Sequence, residues 1–256
     1  MNYENIILEK RGNVSIVTIS HPPANAWNLA TMEEFERVID AVEQDKETRV
    51  IIITGAGEKS FSAGFDVSDA ANASKTSPKG RALWTRIDRF SKPIIAAING
   101  FAFGGGLELA MACHFRIMVD HPKVLVGLTE LNLGIIPGWG GTQRLPLLVG
   151  RSKALDMILF SKRIGAQEAM KIGLINQISA PGNVVEDALA FAQKLAERPP
   201  IALSCVLKAM AAGVYEGLEQ GLRVEEEGSA RVRETKDCIE GFTAFLEKRQ
   251  PVFRGE

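Results

Sequence analysis

The chain has 256 residues, with 46% hydrophobic and 24% charged side chains and a formal net charge of −1 at pH 7. These values are typical of a soluble globular protein and exclude a disordered, collagen-like or disulfide-scaffold chain. Because 30 basic side chains stand against 31 acidic ones, no excess of positive charge favours nucleic acid or an anionic membrane as a partner. With 24 glycines and 3 histidines, backbone geometry is expected to contribute more to the chemistry than imidazole groups do.

The sequence shows no pattern for membrane insertion, export or metal binding. No apolar run reaches the ~18 residues that a transmembrane helix needs. Residues 1–5 have neither the basic and apolar regions of a signal peptide nor an Arg-rich leader, which predicts a cytoplasmic protein. Cys113, Cys205 and Cys238 lie far apart, without a cysteine or histidine partner at metal spacing, so we expect buried thiols.

The first part of the chain has strand and helix patterns in turn. Apolar and polar residues alternate over residues 6–20 around a turn at 11–13, which predicts a hairpin. The capping-box sequence at 31–34, followed by apolar residues at helical spacing, predicts a helix that ends at Asp45. The β-branched run at 50–54 is typical of a strand covered on both faces.

The middle of the chain continues this alternation. Residues 74–80 are small and polar, which predicts a mobile loop before an amphipathic segment at 83–90. Residues 101–113 change from glycine-rich to helical. Strand patterns lie at 93–98, 115–119 and 124–126. Alternating strands and helices predict an α/β core.

The last third of the chain is mainly helical in pattern. After Gly134, apolar residues recur at spacings of three and four. The predicted helices are 142–149, 152–160, 166–172, 184–197, 201–212, 218–233 and 236–249, with a strand-like pattern only at 174–178. We find no internal repeat, and no linker that requires an independent second domain.

A glycine-containing loop at residues 55–60 follows a predicted strand but does not fit a nucleotide-binding loop. A Walker loop requires contiguous Gly-Lys-Ser or Gly-Lys-Thr, and a dinucleotide fingerprint requires glycine where Ser60 stands. The chain has no G-x-S-x-G sequence and no histidine close in sequence to a nucleophile, so a serine hydrolase is not expected either.

Three consecutive glycines, Gly104, Gly105 and Gly106, lie between a predicted strand and a predicted helix. Unhindered amides at a helix N-terminus stabilise an anionic oxygen through hydrogen bonds and the helix dipole. These glycines are therefore a candidate oxyanion hole, with residues 62–66 as the source of a second amide. Close helix–strand packing for the glycines and an ordinary turn at 62–66 are the alternatives.

Two glutamates are candidates for proton transfer. Glu108 lies in the first turn of the predicted helix, where its only role could be to complement the helix dipole. Glu130 lies in a loop before the glycine-rich residues 134–141, and an isolated loop glutamate is commonly a solvated surface residue. If the fold brings both carboxyl groups to one oxyanion site, they can divide the acid and base roles.

Ordered motifs extend over nearly the whole chain. They are Asn25-Ala26, FSAGFDV at 61–67, AAING at 96–100, GGGLELA at 104–110, TELNLGIIPG at 129–138 and GGTQRL at 140–145, with further matches at 169–175 and 240–253. Together they closely resemble the enoyl-CoA hydratase/isomerase (crotonase) superfamily.

This resemblance implies an α/β fold: a crotonase-like spiral of ββα units over residues 1–195 and a C-terminal helical trimerisation portion over residues 196–256. It implies homotrimers, or hexamers that are dimers of trimers. The implied substrate is an acyl-CoA thioester, in which coenzyme A enters as part of the substrate. No metal or redox cofactor, nucleic-acid partner or membrane partner is expected.

Site residues follow from the resemblance by match of position. The backbone amides of Phe65 and Gly105 would bind the thioester oxygen, and Glu108 and Glu130 would be the catalytic carboxylates. The implied CoA and substrate contacts are Ala24, Asn25, Ala26, Ala63, Asp66, Val67, Ser68, Phe245 and Lys248, the last two at the nucleotide end of the same or a neighbouring subunit. The implied acyl pocket consists of Trp84, Pro137, Gly138 and Trp139.

The presence of both glutamates favours hydration of a 2-enoyl-CoA, because isomerases of the superfamily can work with one carboxylate. An isomerase and a hydratase of cyclic dienoyl-CoA esters are the alternatives within the family. A few proteins that resemble it bind RNA, but the segment 83–90 has only Arg86 and Arg89 as cations, offset by Asp88.

Three positions depart from the common family pattern. Phe65 stands where alanine is common, Trp139 where alanine or glycine is common, and Thr129 where proline is frequent. A backbone donor survives a side-chain change, so the oxyanion hole is expected to persist. The two aromatic rings either reshape the acyl pocket or pack away from it.

Overall fold

The computed structural model describes residues 3–256 and contains two β-sheets with helices around them. The described strands are β1 (Ile6–Arg11), β2 (Val14–Ile19), β3 (Val50–Gly55), β4 (Ser60–Ser62), β5 (Ile94–Ile98), β6 (Phe101–Phe103), β7 (Phe115–Val119), β8 (Val126–Gly127) and β9 (Gln177–Ser179). In this part of the chain, six strands form one sheet in the order β1-β2-β3-β5-β7-β9, and three form a smaller sheet in the order β4-β6-β8.

Helices connect and cover the sheets. They are α1 (Leu29–Gln44), α2 (Ala73–Asp88), α3 (Gly105–Ala112), α4 (Gly141–Val149), α5 (Arg151–Leu159), α6 (Ala166–Lys171), α7 (Val184–Ala196), α8 (Pro200–Glu216), α9 (Leu218–Arg233) and α10 (Lys236–Glu247). Two 3₁₀ turns lie at Val67–Asn72 and Glu130–Leu133. Within residues 3–256, no helix is both long and apolar enough to cross a bilayer.

The same unit of structure repeats along the chain. A strand of the larger sheet is followed by a strand of the smaller sheet and then by a helix, first as β3-β4-α2, then as β5-β6-α3 and then as β7-β8-α4. β3, β5 and β7 pair in parallel, and so do β4, β6 and β8. The expected spiral of ββα units is confirmed. Because the three short strands are parallel, the residues that follow them meet at one edge of the smaller sheet.

The core is built on strands that are buried on both faces. All six residues of β3 are buried, among them Ile51, Ile52 and Ile53. Helix α7 packs across β2, β3, β5 and β7. The predicted doubly covered strand and the predicted N-terminal hairpin, in which β1 and β2 pair antiparallel, are both confirmed. Of the expected buried thiols, Cys113 is buried, whereas Cys205 and Cys238 are half-buried.

The first helix begins three residues earlier than its capping-box sequence predicts. Asn28 has extended backbone angles, and its side-chain Oδ1 accepts a hydrogen bond of 2.8 Å from the amide of Thr31. The Thr31 hydroxyl, by contrast, is buried without a partner among the described residues. Glu34 accepts hydrogen bonds from the amides of Glu4 and Asn5 instead of closing a capping box. The polar residue that caps α1 is therefore Asn28.

The mobile loop predicted at residues 74–80 is wrong, because these residues belong to α2. Gly80 is packed closely within this helix, since a Cβ there would lie 2.7 Å from Cε2 of Trp139. The Thr76 hydroxyl donates to the carbonyl oxygen of Asn72, one turn earlier. A small polar composition therefore has a packing cause here.

The predicted helices of the last third are all present, although α8 extends to Glu216 instead of ending at 212. β8 and β9 each lie a few residues later in the chain than the strands predicted at 124–126 and 174–178. α8 and α9 lie close together where Gly213 meets Gly221, since a Cβ at Gly221 would lie 2.7 Å from the Gly213 Cα. Arg49 joins the chain end to the sheet by donating to the carbonyls of Ala196 and Phe253.

The capping difference can be tested by a pair of substitutions. Replacing Asn28 with alanine is expected to lower the free energy of unfolding by about 1 kcal/mol, because the Thr31 amide loses its acceptor. Replacing Thr31 with valine is expected to be neutral or stabilising, because its buried hydroxyl has no partner. Urea unfolding followed by circular dichroism measures both. A larger loss for the valine variant than for the alanine variant would contradict the assignment.

Candidate active site

The chain segments that follow β4, β6 and β8 meet where the parallel strands of the smaller sheet end. Phe65, Gly105 and Glu130 come from these three segments, in that order. All three line a cavity of about 230 Å³, which Glu108 of α3 also lines. The fold therefore brings together the four residues for which the sequence predicts roles in oxyanion binding and proton transfer.

Glu108 is held by a loop outside its own helix. Its side chain is 1% exposed, and Oε1 accepts hydrogen bonds from the amides of Trp139 at 2.8 Å and Gly141 at 2.7 Å. Oε2 has no hydrogen-bond partner among residues 3–256. A carboxylate that only complemented the helix dipole would not need these two donors, so that interpretation does not explain the position of Glu108.

The loop that holds Glu108 is shaped by glycines and by Arg144. Gly140 has φ +111°, and a Cβ there would lie 2.0 Å from Nη1 of Arg144. That nitrogen donates to the carbonyl oxygen of Trp139 at 2.9 Å, and the Arg144 Nε donates to Asp88 at 2.6 Å. Arg144 therefore fixes the peptide group between Trp139 and Gly140, which lies between the two amides that donate to Glu108.

Glu130 is buried as well, at 9% exposed, so the interpretation as a solvated surface residue is wrong. It opens the 3₁₀ turn after β8, and its Oε2 is buried with no hydrogen-bond partner in the described chain. Its Oε1 lies over Gly104, where a Cβ would come within 3.2 Å. Glu130 is therefore a carboxyl group without the strong donors that Glu108 has.

The two environments act differently on the pKa values of the two carboxyl groups. Burial raises the pKa of Glu130 to about 7, and the negative charge of Glu108 adds to the rise. Burial also raises the pKa of Glu108, but the amides of Gly141 and Trp139 oppose this by stabilising the ionised form. The backbone amides therefore favour the ionised form of Glu108, and Glu130 lacks these two donors.

Two backbone amides face the same cavity. Trp27 donates to the carbonyl of Gly64 at 2.8 Å and accepts from the amide of Asp66 at 3.0 Å. In such a parallel bridge, the amide of Phe65 between them points to the opposite side. A Cβ at Gly64 would lie 2.8 Å from the Gly105 nitrogen, so the two amides are neighbours. Neither donates a hydrogen bond to any described residue.

The glycines also have the packing role that was the alternative. A Cβ at Gly106 would lie 2.3 Å from the carbonyl oxygen of Ser62, and one at Gly105 would lie 2.2 Å from the Trp139 ring. The indole Nε1 of Trp84 donates to the carbonyl of Gly105 at 3.0 Å. The same peptide segment therefore combines close packing with an amide that has no acceptor among the described residues.

The predicted acyl-pocket residues lie in different places. Gly138 and Trp139 line the cavity, whereas Pro137 lines a neighbouring cavity. Trp84 is completely buried and does not line the cavity; its ring lies edge-to-face against that of Trp139, with 5.6 Å between the ring centroids. All three departures, Phe65, Thr129 and Trp139, line the cavity, and the rings of Phe65 and Trp139 meet edge-to-face at 6.4 Å.

The residues predicted to contact CoA are also divided. Ala63 and Val67 line the cavity. The Asn25 side chain is 4% exposed and occupied by the backbone groups of His21, Ala56 and Ser60, so it ties strand ends together. Asp66 accepts hydrogen bonds from the amide and hydroxyl of Ser68, as the cap of the 3₁₀ turn.

The remaining predicted contacts do not line this cavity. Ala24 accepts hydrogen bonds through its carbonyl from Ala63 and Ser60, and Ala26 accepts one from His21. Phe245 is 81% exposed on α10, and Lys248 ends that helix in a left-handed conformation. The structure thus separates Phe245 and Lys248 from the cavity of their own chain.

Several residues at the site were not predicted from the sequence. The cavity is also lined by Ala73, Ser77, Leu133, Ile135 and Ile136. Arg144, which was not predicted either, donates to the carbonyl of Trp139 without lining the cavity. The run of glycines around Trp139 was a usable signal, because only small residues allow a loop to approach a carboxylate so closely.

Comparison with known proteins gives a consistent family. The family model described as enoyl-CoA hydratase/isomerase matches residues 9–256. A probable enoyl-CoA hydratase of Bacillus subtilis is 44% identical over 95% of this chain and 96% of its own length. A short-chain-enoyl-CoA hydratase of Clostridium acetobutylicum is 40% identical over 98% of this chain and 97% of its own.

Comparison of the fold with solved structures agrees with the sequence relatives. A crystal structure of an enoyl-CoA hydratase from Bacillus anthracis superimposes with a TM-score of 0.94 at 38% identity, covering 99% of this chain and 100% of that one. With the repeated ββα units and the two buried glutamates, these similarities lead to one conclusion: the chain belongs to the enoyl-CoA hydratase/isomerase family.

Proposed function

We propose that the protein is an enoyl-CoA hydratase that adds water across the 2,3 double bond of an acyl-CoA thioester. The observation that carries this proposal is the pair of buried carboxyl groups, of which only Glu108 is held by backbone amides, in a cavity that Phe65 and Gly105 also line. Relatives named short-chain-enoyl-CoA hydratase and crotonyl-CoA hydratase, at 40% and 39% identity, support the choice of reaction.

The amides of Phe65 and Gly105 bind the thioester oxygen. As a nucleophile adds to the β-carbon, the electrons of the double bond move towards the thioester carbonyl and its oxygen becomes enolate-like. Two fixed amide donors stabilise that charge without reorganising, a contribution of about 3 kcal/mol per donor in comparable sites. The N-terminus of α3, at Gly105, adds the positive end of the helix dipole.

The two glutamates divide the proton transfers. Glu108, ionised and held through Oε1, uses Oε2 to take a proton from water while the water oxygen bonds to the β-carbon. Glu130, protonated, delivers its proton to the α-carbon as the enolate collapses to the thioester. One turnover leaves the proton on Glu108, and its return to Glu130 through solvent restores the starting state. The reaction moves only protons and water, so it needs no redox cofactor.

The alternative of RNA binding has little support in the charges of α2. Arg86 is paired with Asp40 and Glu43, and Arg89 lies 3.7 Å from Glu216 and over the ring of Tyr215. Phosphate recognition needs cations that are free to neutralise phosphate groups and so displace the counterions of the nucleic acid. We therefore favour the enzymatic function over nucleic-acid binding.

We also propose a homotrimer or a hexamer of two trimers, with the helical portion after residue 195 as its contact region. Large apolar side chains are exposed there: Val206, Met210, Val214, Leu218, Leu222, Ile239, Phe242, Phe245 and Leu246. Exposed apolar side chains of this size on three neighbouring helices are candidates for burial between subunits. Phe245 and Lys248 of one subunit would then reach the nucleotide end of CoA held by a neighbour.

The role of the carboxyl groups predicts the effect of two substitutions. Glu108→Gln and Glu130→Gln each remove a proton-transfer group, so each is expected to lower kcat for crotonyl-CoA by about 10²- to 10⁴-fold. Both variants are expected to retain binding of butyryl-CoA, which lacks the double bond, and calorimetry measures this. Glu34→Gln is the matched control, a buried glutamate that binds two amides outside the cavity. Near-normal turnover by either cavity variant would reject the mechanism.

The protonation states predict the pH profile. Only protonated Glu130 can deliver the α-proton, so kcat/KM for hydration is expected to fall as pH rises above about 7. In Glu108→Gln the neighbouring negative charge is gone, so the pKa of Glu130 decreases. The alkaline limb of the residual activity should then move to lower pH. An activity that increases from pH 7 to 9 would be incompatible with Glu130 as the acid.

The proposed assembly predicts the molecular mass of the protein in solution. Sedimentation velocity is expected to show a trimer or hexamer, and Phe242→Asp on α10 is expected to dissociate it, because a buried carboxylate opposes an apolar interface. Ile7→Asp on β1, where the wild-type side chain is also exposed, at 53%, is the matched control and should leave the mass unchanged. A monomeric wild-type protein would contradict the proposal.

A further inference from the structure

The indole of Trp139 lies between two cavities. On one side is the cavity of about 230 Å³ that contains Glu108 and Glu130. On the other side is a second cavity of about 460 Å³, lined by Trp139 together with Arg81, Asp88, Arg144 and Tyr215. Ile136 and Gly138 line both cavities, so the two spaces adjoin at this loop.

The indole has little freedom to move aside. Its ring atoms fill the space over Gly80 of α2 and Gly105 of α3, where added Cβ atoms would lie 2.7 Å and 2.2 Å from the ring. It meets Trp84 edge-to-face at 5.6 Å and is 4% exposed. A ring enclosed by two helices and a second indole is a fixed wall and not a swinging gate.

The wall stands next to the reacting end of the cavity. The amide of Trp139 donates to Glu108, and its carbonyl accepts from Arg144. The indole therefore belongs to the same residue whose amide holds Glu108, the carboxylate that acts at the β-carbon. Atoms of an acyl group beyond the β-carbon would extend towards this wall, and the cavity is smaller than the ~300 Å³ at which pockets for larger ligands begin.

Three side chains of the second cavity, Asp88, Arg144 and Tyr215, are paired with one another. Arg144 and Asp88 form an ion pair at 2.6 Å, and the Tyr215 hydroxyl donates to Asp88. Arg81 donates to the carbonyl of Gly138 at 3.2 Å. Since these groups do not require a polar ligand, the space beyond the indole can accommodate an apolar tail alongside Ile136 and Pro137.

We propose that the indole of Trp139 is the end wall of the acyl pocket and restricts the enzyme to short acyl chains. Removing it would join the two cavities and admit medium-length chains. This inference rests on the proposed hydratase function for its substrate, but the wall itself acts on the binding of any acyl-CoA, saturated or unsaturated. It assigns a specificity role to the side chain of a residue whose backbone positions Glu108.

The test compares acyl chains in the wild type and in Trp139→Ala. Rates with 2-decenoyl-CoA and crotonyl-CoA give a ratio of kcat/KM values, and calorimetry with decanoyl-CoA and butyryl-CoA gives a ratio of Kd values. We expect the substitution to shift both ratios towards the longer chain by about tenfold or more. The backbone amide remains in the variant, so its hydrogen bond to Glu108 can still form.

Controls separate the wall from a loss of stability. Phe35→Leu removes a ring from the same aromatic cluster, edge-to-face with Trp84 at 5.8 Å, but Phe35 lines neither cavity. Its chain-length ratios are expected to match the wild type despite a lower melting temperature. Trp139→Phe keeps part of the wall and stays closer to the native volume, so it should give intermediate chain-length ratios. It replaces the alanine variant in the test if that variant folds poorly.

The outcomes distinguish the two proposals. If the wild type binds acyl-CoA esters but does not hydrate crotonyl-CoA, the proposed function fails, and the Kd ratios still test the wall. If the wild type hydrates crotonyl-CoA but the alanine and phenylalanine variants keep its chain-length ratios, the wall is rejected and the function stands. A wild type that already prefers decenoyl-CoA would also overturn the wall.

Discussion

The site depends on one interaction, in which Oε1 of Glu108 accepts hydrogen bonds from the amides of Trp139 and Gly141. These donors partly offset the burial of the charge, which would otherwise cost several kcal/mol. They leave Oε2 free to act on water. The negative charge that they maintain also contributes to the raised pKa of Glu130, so the same two hydrogen bonds influence both carboxyl groups.

Glycine contributes to this chemistry because it lets backbone groups approach each other and the reacting atoms. At Gly141 a Cβ would lie 3.0 Å from Oε1 of Glu108, and at Gly64 it would lie 2.8 Å from the Gly105 amide. Trp139 occupies the space that Gly80 and Gly105 leave open. The surplus of glycine over histidine in the composition thus corresponds to a site in which amides bind charge and no histidine lines the cavity among the described residues.

The sequence allowed much of the fold to be predicted, and the local part of the site as well. Gly105 and Glu108 lie within one motif, so their proximity follows from a single strand–helix connection. The burial of Glu130 was not predictable from its own loop, because it depends on the parallel pairing of β6 and β8. Residues 74–80 were misassigned as a loop, in part because Gly80 leaves space for the ring of Trp139, 59 positions away in the sequence. Asn28 and Thr31 compete for the same cap, and only the backbone angles decide between them.

The division of protonation between the two glutamates can be observed directly by infrared difference spectroscopy. We expect a protonated-carboxyl C=O band that disappears with a pKa of about 7 and is absent from Glu130→Gln. In Glu108→Gln the band should remain and titrate at lower pH, because the neighbouring charge has been removed. A band that is lost in Glu108→Gln and retained in Glu130→Gln would contradict the assignment of Glu108 as base and Glu130 as acid.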